Sequence, residues 1–129
     1  MDKKIVETAH APAAIGPYSQ GVVAGEYVFT AGQIALVPGT SELAGAGIRA
    51  QTRQAIENVK AILESGGSDL AHVVKTTVYL KDLNEFAQMN EVYGQFFTQQ
   101  PPARSTVEVA RLPRDVRVEI EAVGLVISH

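Results

Sequence analysis

Two charged residues of this 129-residue chain stand where a charge would do chemistry. Arg104 follows Pro101-Pro102-Ala103 and precedes Ser105-Thr106-Val107, so a stiff lead-in delivers its guanidinium to the mouth of a strand. That planar fork offers two parallel N–H groups to a carboxylate; the plain alternative is a surface ion pair. Glu119 lies between Val118 and Ile120 in an alternating segment. On the solvent face of an edge strand, Glu119 and Glu121 are merely solvated. Covered by a neighbouring subunit, Glu119 would lose water, its carboxyl pKa would rise, and it would suit proton transfer. Tyr18, inside the glycine-proline turn Ile15-Gly16-Pro17-Tyr18-Ser19-Gln20, would present its ring and hydroxyl at a cleft or cap the core.

Other chemistries find little support. His10, His72 and His129 are scattered, with no spacing that offers a metal three or four ligands. The chain has no cysteine, which removes disulfides, thiolate metal sites and a thiol nucleophile together. No G-x-S-x-G elbow occurs. Gly45-Ala46-Gly47-Ile48-Arg49-Ala50 fits the loose dinucleotide pattern G-x-G-x-x-A. A proline- and glycine-rich loop precedes it where a strand is required, so it reads as a loop closing on a helix start.

The elements that must position Arg104, Glu119 and Tyr18 follow from periodicity. Gly21 to Thr30 carries β-branched and aromatic runs on either side of Ala24-Gly25-Glu26, a short hairpin. Ile34 to Gly47, rich in Gly, Pro, Thr and Ser, is expected as a mobile surface loop. Thr52, Ile56, Val59 and Leu63 recur at helical spacing up to Gly66-Gly67. Val73 to Leu80 is a half-buried strand that puts Tyr79 on one face with Thr77 and Lys75. Asp82-Leu83-Asn84-Glu85 has the form of a capping box, with Glu85 reaching back. The helix it opens carries Phe86, Met89, Tyr93 and Phe97 on one stripe, with Asn90 beside it, until Pro101-Pro102. Two further strands, around Ser105 to Val109 and from Val116 to Ile127, flank the turn Leu112-Pro113-Arg114-Asp115.

Strand, strand, helix, strand, helix, strand, strand suits an α+β fold: a single sheet with both helices on one face. In the last strand Val118, Ile120 and Ala122 point one way, and Glu119, Glu121 and Val123 the other. The second sheet face is therefore mixed and partly apolar, which a symmetry mate would finish, and a homo-oligomer is expected. With 46% hydrophobic and 19% charged residues the chain reads as one soluble domain spanning 1–129. Its 11 basic and 14 acidic residues give a formal net charge of -3, no basis for seeking nucleic acid or anionic lipid. Met1 to Glu7 does not have the form of a signal peptide, and the apolar runs fall far short of the roughly 20 residues that span a bilayer. A cytoplasmic protein is expected.

Taken together and in order, Ala11-Pro12-Ala13-Ala14-Ile15-Gly16-Pro17-Tyr18-Ser19-Gln20, Thr30-Ala31-Gly32-Gln33, Asn58-Val59-Lys60, Val74 to Leu80, Pro102-Ala103-Arg104-Ser105-Thr106-Val107 and Val118 to Ala122 resemble the reactive intermediate deaminase family. This is the Rid, or YjgF, family of enamine/imine deaminases, and the resemblance spans nearly the whole chain. It implies a chorismate-mutase-like subunit with a mixed sheet and two helices on one face. Three such subunits would assemble as a homotrimeric barrel with clefts between subunits. It also implies hydrolysis of 2-iminobutanoate and 2-iminopropanoate to 2-oxo acids and ammonia. These imines arise from enamines that pyridoxal-phosphate enzymes such as threonine dehydratase release; the hydrolase itself would use no cofactor and no metal.

Carried over by motif, Arg104 would grip the carboxylate of the imino acid, and Glu119 would position or deprotonate the attacking water. Tyr18 would line the cleft, with Gly32 and the Thr106 backbone beside the ligand and Asn90 in support. Two positions depart from the family: Ala31 stands where many relatives carry serine, and Thr106 where a number carry cysteine. One hydroxyl that would touch substrate is therefore missing, and no thiol can be essential. The same clefts would also serve a non-catalytic, carboxylate-binding or holdase-like trimer. An endoribonuclease, another label in this family, is disfavoured by the negative charge and by the lack of basic residues interleaved with aromatics.

Overall fold

The computed structural model describes residues 2–127, so His129 lies outside the described residues. Six strands and two α-helices follow one another as β1 (Lys3–Val6), β2 (Gly21–Ala24), β3 (Tyr27–Thr30), α1 (Ile48–Ser65), β4 (Val73–Leu80), α2 (Phe86–Phe96), β5 (Ala103–Glu108) and β6 (Val118–Leu125). The strands form one sheet in the order β1-β2-β3-β6-β4-β5. Only β4 and β5 run parallel, joined through α2, because a parallel return needs a crossover longer than a hairpin. The expected mixed sheet with two helices is thus present, with one strand more than the periodicity showed. β1 was missed because Lys3-Lys4-Ile5-Val6 is only four residues long and three of them are exposed.

The β2–β3 hairpin turns at Gly25, whose φ of 59° suits a residue without a Cβ. α1 buries Ile48, Ala55, Ile56, Val59, Ile62 and Leu63 and lies across β6 and β3. It faces the alternating Val118, Ile120 and Ala122 of β6 and Val78 and Leu80 of β4, all nearly or fully buried. α2 packs beside α1 and adds Met89, Tyr93 and Phe97 to the same core. All the helical mass therefore sits on one face of the sheet. The opposite face carries Glu119, Glu121, Tyr79 and Val123, together with Ile5, Phe29 and Val107, each of these last three more than two-fifths exposed.

The capping box takes a different form. Asp82 does accept from the Asn84 N–H at 2.9 Å, but Leu83–Glu85 forms a 3-10 turn ahead of α2. Glu85 does not reach back: its carboxylate accepts from Arg117 Nε at 2.7 Å, since a guanidinium outcompetes a backbone N–H for a carboxylate. The segment 34–47 is tied to the body of the protein. Arg114 Nη1 donates to Ser41 O at 2.7 Å, and within the segment Leu36 bridges Leu43 and the Ala44 N–H donates to Ala35 O at 2.9 Å.

Candidate functional site

The cleft that contains Glu119 begins with an irregular strand pairing. Phe29 of β3 lies opposite Val123 of β6, and Gln33 lies opposite Ile120. Between these pairings lie three residues, 30–32, on one side and two, 121 and 122, on the other. The extra residue bulges the chain at Ala31-Gly32, and Thr30 Oγ1 accepts the Ala122 N–H at 3.0 Å in place of a ladder bond. The bulge presses Gly32 onto the carboxylate of Glu119; a Cβ at position 32 would collide with Glu119 Oε2. Glycine stands here because of that close approach.

Across from the bulge, the segment 11–18 is held by Gln20. This side chain is almost fully buried; its Nε2 donates to Thr8 O at 3.0 Å and Pro12 O at 2.8 Å, while Oε1 accepts the Thr8 N–H at 2.7 Å. The Tyr18 N–H closes a tight turn onto Gly16 O at 2.8 Å, leaving the ring half exposed at the cleft. Tyr18, Ala31, Gly32 and Glu119, with Ile34, Leu36 and Pro113, line a cleft of about 460 Å³ in which Glu119 is the one charged side chain. Burial raises the pKa of its carboxyl above the usual value, and the nearby charge of Glu121 raises it further. Among the described residues no cation pairs with it.

Arg104 is elsewhere. It is paired with Thr76, so it sits on the helix side of the sheet, at the β5 edge. Its guanidinium carbon lies 4.6 Å from the ring centroid of Tyr93 and 5.4 Å from that of Phe86, held by cation–π attraction. Tyr93 is in turn fixed by a 2.7 Å hydrogen bond between its hydroxyl and Thr76 Oγ1; burial pushes its phenol pKa up. Asn90 falls between Phe86 and Tyr93 on the same stripe of α2, and Thr106 follows Arg104 on the same face of β5. Thr106 Oγ1 is buried without a hydrogen-bond partner. Among the described residues Arg104 has no carboxylate partner, so the surface ion pair is not formed.

The residues singled out in the sequence therefore fall into two groups. Tyr18, Ala31, Gly32 and Glu119 share the cleft; Arg104, Thr106 and Asn90 share the β5 edge. The aromatic shelf of Phe86 and Tyr93 under Arg104 was read only as a core stripe, and the wall residues Ile34, Leu36 and Pro113 carried no signal beyond being apolar in loops. The described residues contain no group of three His, Cys, Asp or Glu placed to hold a metal ion. No described helix is long and apolar enough to cross a membrane.

These features define an α+β chain whose one mixed sheet keeps its helices on one face and offers a partly desolvated carboxyl and, at a separate place, a guanidinium with no carboxylate partner among the described residues. The chain belongs to the endoribonuclease L-PSP family, whose model matches residues 8–126, the same family that the sequence resembles under the names Rid and YjgF. It is 53% identical over 125 residues to the 2-iminobutanoate/2-iminopropanoate deaminase of Escherichia coli, covering 95% of this chain and 97% of that protein. It is 54% identical over 122 residues to a RutC family protein of Pyrococcus horikoshii, covering 95% and 97%. Its fold superposes on a crystal structure of E. coli TdcF with bound serine with a TM-score of 0.90 at 51% identity, covering 95% and 98%.

Proposed function

We propose that this protein hydrolyses 2-iminobutanoate and 2-iminopropanoate to the corresponding 2-oxo acids and ammonia, in clefts shared between the subunits of a homotrimer. The observation that carries this reading is that the two half-sites are complementary. One offers a carboxyl with a raised pKa and no cation; the other offers a guanidinium with no carboxylate. A second copy of the chain that brings the Arg104 edge to the Glu119 cleft completes a site for a small molecule bearing a carboxylate beside an electrophilic carbon. The partly apolar face behind Glu119 gives that copy a surface to cover.

In the proposed reaction Arg104 holds the substrate carboxylate through two N–H groups. Glu119 accepts a proton from water as its oxygen adds to the imine carbon. Glu119 returns that proton to the nitrogen, which has taken up the C=N electron pair, giving the tetrahedral carbinolamine; Glu119 then carries the hydroxyl proton to the nitrogen, the C–N bond breaks as the carbonyl forms, and ammonia leaves. An imine carbon is already electrophilic, so orientation and proton transfer are the main requirements. Tyr18 and Gly32 bound the space beside the reacting carbon, and Asn90 and Thr106 support Arg104. The names and contents of relatives favour this reading: the E. coli relative is named for this reaction, and the serine bound to TdcF carries a carboxylate and a nitrogen on one carbon. The negative net charge disfavours the ribonuclease that the family description names.

The test is 2-oxobutanoate formation from threonine and threonine dehydratase, with semicarbazide competing for the imine. Acceleration by the wild type, absent with Arg104→Ala, supports the proposal. Binding of 2-oxobutanoate without acceleration on either imine overturns it in favour of a non-catalytic trimer.

A further inference from the structure

The segment Asn58-Val59-Lys60 stands out in the sequence, yet the proposed reaction gives it no task. Asn58 is fully buried within α1. Both N–H groups of its carboxamide are spent on the wall of the cleft: Nδ2 donates to Ile34 O at 3.1 Å and to Leu36 O at 2.9 Å. Its Oδ1 accepts from Gln54 Nε2 at 2.9 Å. The opposite orientation of the amide would set its oxygen against two carbonyl oxygens, so the chemistry permits only this one.

The chain bends at Ala35, where the Leu36 N–H donates to Ile34 O at 2.8 Å. With the carbonyls of residues 34 and 36 turned onto α1, the side chains of Ile34 and Leu36 line the cleft, while Ala35 between them is buried in the core. The remaining bonds of this stretch are backbone bonds, among them Ala44 N–H to Ala35 O at 2.9 Å and Val37 N–H to Glu42 O at 2.9 Å. Gln33 pairs with Ile120 on one side, and an isolated bridge joins Leu36 to Leu43 on the other. Gln33 Nε2, on the same wall, turns back to Gly32 O at 3.3 Å. The carbonyls of Ile34 and Leu36 are thus tied to α1 through one side chain that lies behind the apolar wall and does not line the cleft.

We propose that Asn58 is a positioning residue: it holds Ile34 and Leu36 as the apolar wall of the Glu119 cleft and thereby sets how tightly the short aliphatic part of a 2-imino acid is bound. This rests on reading that cleft as the imine site. Asn58 touches no reacting atom, so its loss acts on substrate binding more than on the chemical step.

The experiment compares Asn58→Ala, Gln54→Ala and Leu63→Ala with wild type, using 2-iminobutanoate generated in situ, with amide hydrogen exchange measured alongside. Asn58→Ala is expected to raise KM roughly tenfold with kcat within about threefold, and to speed exchange at the amides of Leu36 and Ala44. Gln54→Ala, which removes only the bond that orients the amide, is expected to move KM the same way by about two- to threefold, and it decides the matter if Asn58→Ala does not fold. Leu63→Ala makes a core cavity further along α1, near Gly124, and should lower stability without moving KM. An unchanged KM in the Asn58 and Gln54 variants, or an equal rise in Leu63→Ala, overturns the proposal. If wild type hydrolyses neither imine, the reaction reading fails by itself. Exchange and 2-oxobutanoate binding then decide: faster exchange with weaker binding in the variants supports the positioning role, and no change in either overturns it.

Discussion

Arg104 and Glu119 point away from opposite faces of the same sheet. Glu119 is paired with Tyr79 of β4, and Arg104 with Thr76 of the same strand. Three residues along β4 and two strand spacings therefore separate them, about 14 Å between Cα atoms, and the odd offset puts their side chains on different faces. A 2-imino acid of four carbons cannot bridge that gap within one chain. If both residues serve one substrate, they come from different subunits. Arg104→Ala and Glu119→Gln are each expected to retain at most about 1% of wild-type activity alone. Unfolded together and refolded as mixed trimers, they should recover about a quarter of wild-type activity, because a site that draws one residue from each of two subunits is intact in that share of random pairings. No recovery in an assay of mixed trimers would place both residues in one chain's site.

The raised pKa of Glu119 makes a prediction about stability as well as rate. The folded protein binds this proton more tightly than the unfolded chain, whose carboxyl titrates near 4.5. Ionisation therefore costs stability as pH rises from that value through the raised one, and the cost is complete above it. Glu119→Gln, neutral throughout, is expected to be at least as stable as wild type at pH 7 and to lose that advantage below about pH 4.5. Urea denaturation at both pH values checks this. The same variant should lose about 10²- to 10⁴-fold in kcat/KM, and the acid limb of the wild-type profile should titrate above the usual carboxylate range.

Gly32→Ala tests the close approach at the bulge. The added methyl meets the Glu119 carboxylate, the free end of a side chain in a cleft, so the carboxylate moves and the backbone stays. Activity is expected to fall at least about tenfold, while the midpoint of thermal unfolding shifts by only about a few degrees. Circular dichroism melts and the coupled imine assay separate the two effects.

Tyr93→Phe probes the shelf beneath Arg104. Removing the hydroxyl leaves Thr76 Oγ1, 1% exposed as a residue, without the 2.7 Å partner it has now. A stranded buried hydroxyl costs about 1–3 kcal/mol, to be read from denaturant midpoints. Thr76→Val in the Tyr93→Phe background should recover part of the loss, since neither polar group then remains.

Much of the fold was legible from local pattern. The 3.6-residue spacing of Ile56, Val59 and Leu63 defined α1, and the alternation from Val118 to Val123 separated a core face from a face bearing Glu119. Such periodicities survive in the sequence because one side of each element must leave water. β1 was not legible: it is four residues long, lies at the edge of the sheet and pairs with β2 alone. The role of Glu85 was misread because its partner, Arg117, is 32 residues away. Residue types marked Arg104, Glu119 and Tyr18, and Gly32 entered through the family resemblance alone. That Gly32 touches Glu119, that Asn58 holds the cleft wall, and that Arg104 and Glu119 face away from each other were decided only by the tertiary structure. Strand register, a one-residue bulge and a buried amide are contacts between distant segments, and no local spacing records which segments will meet.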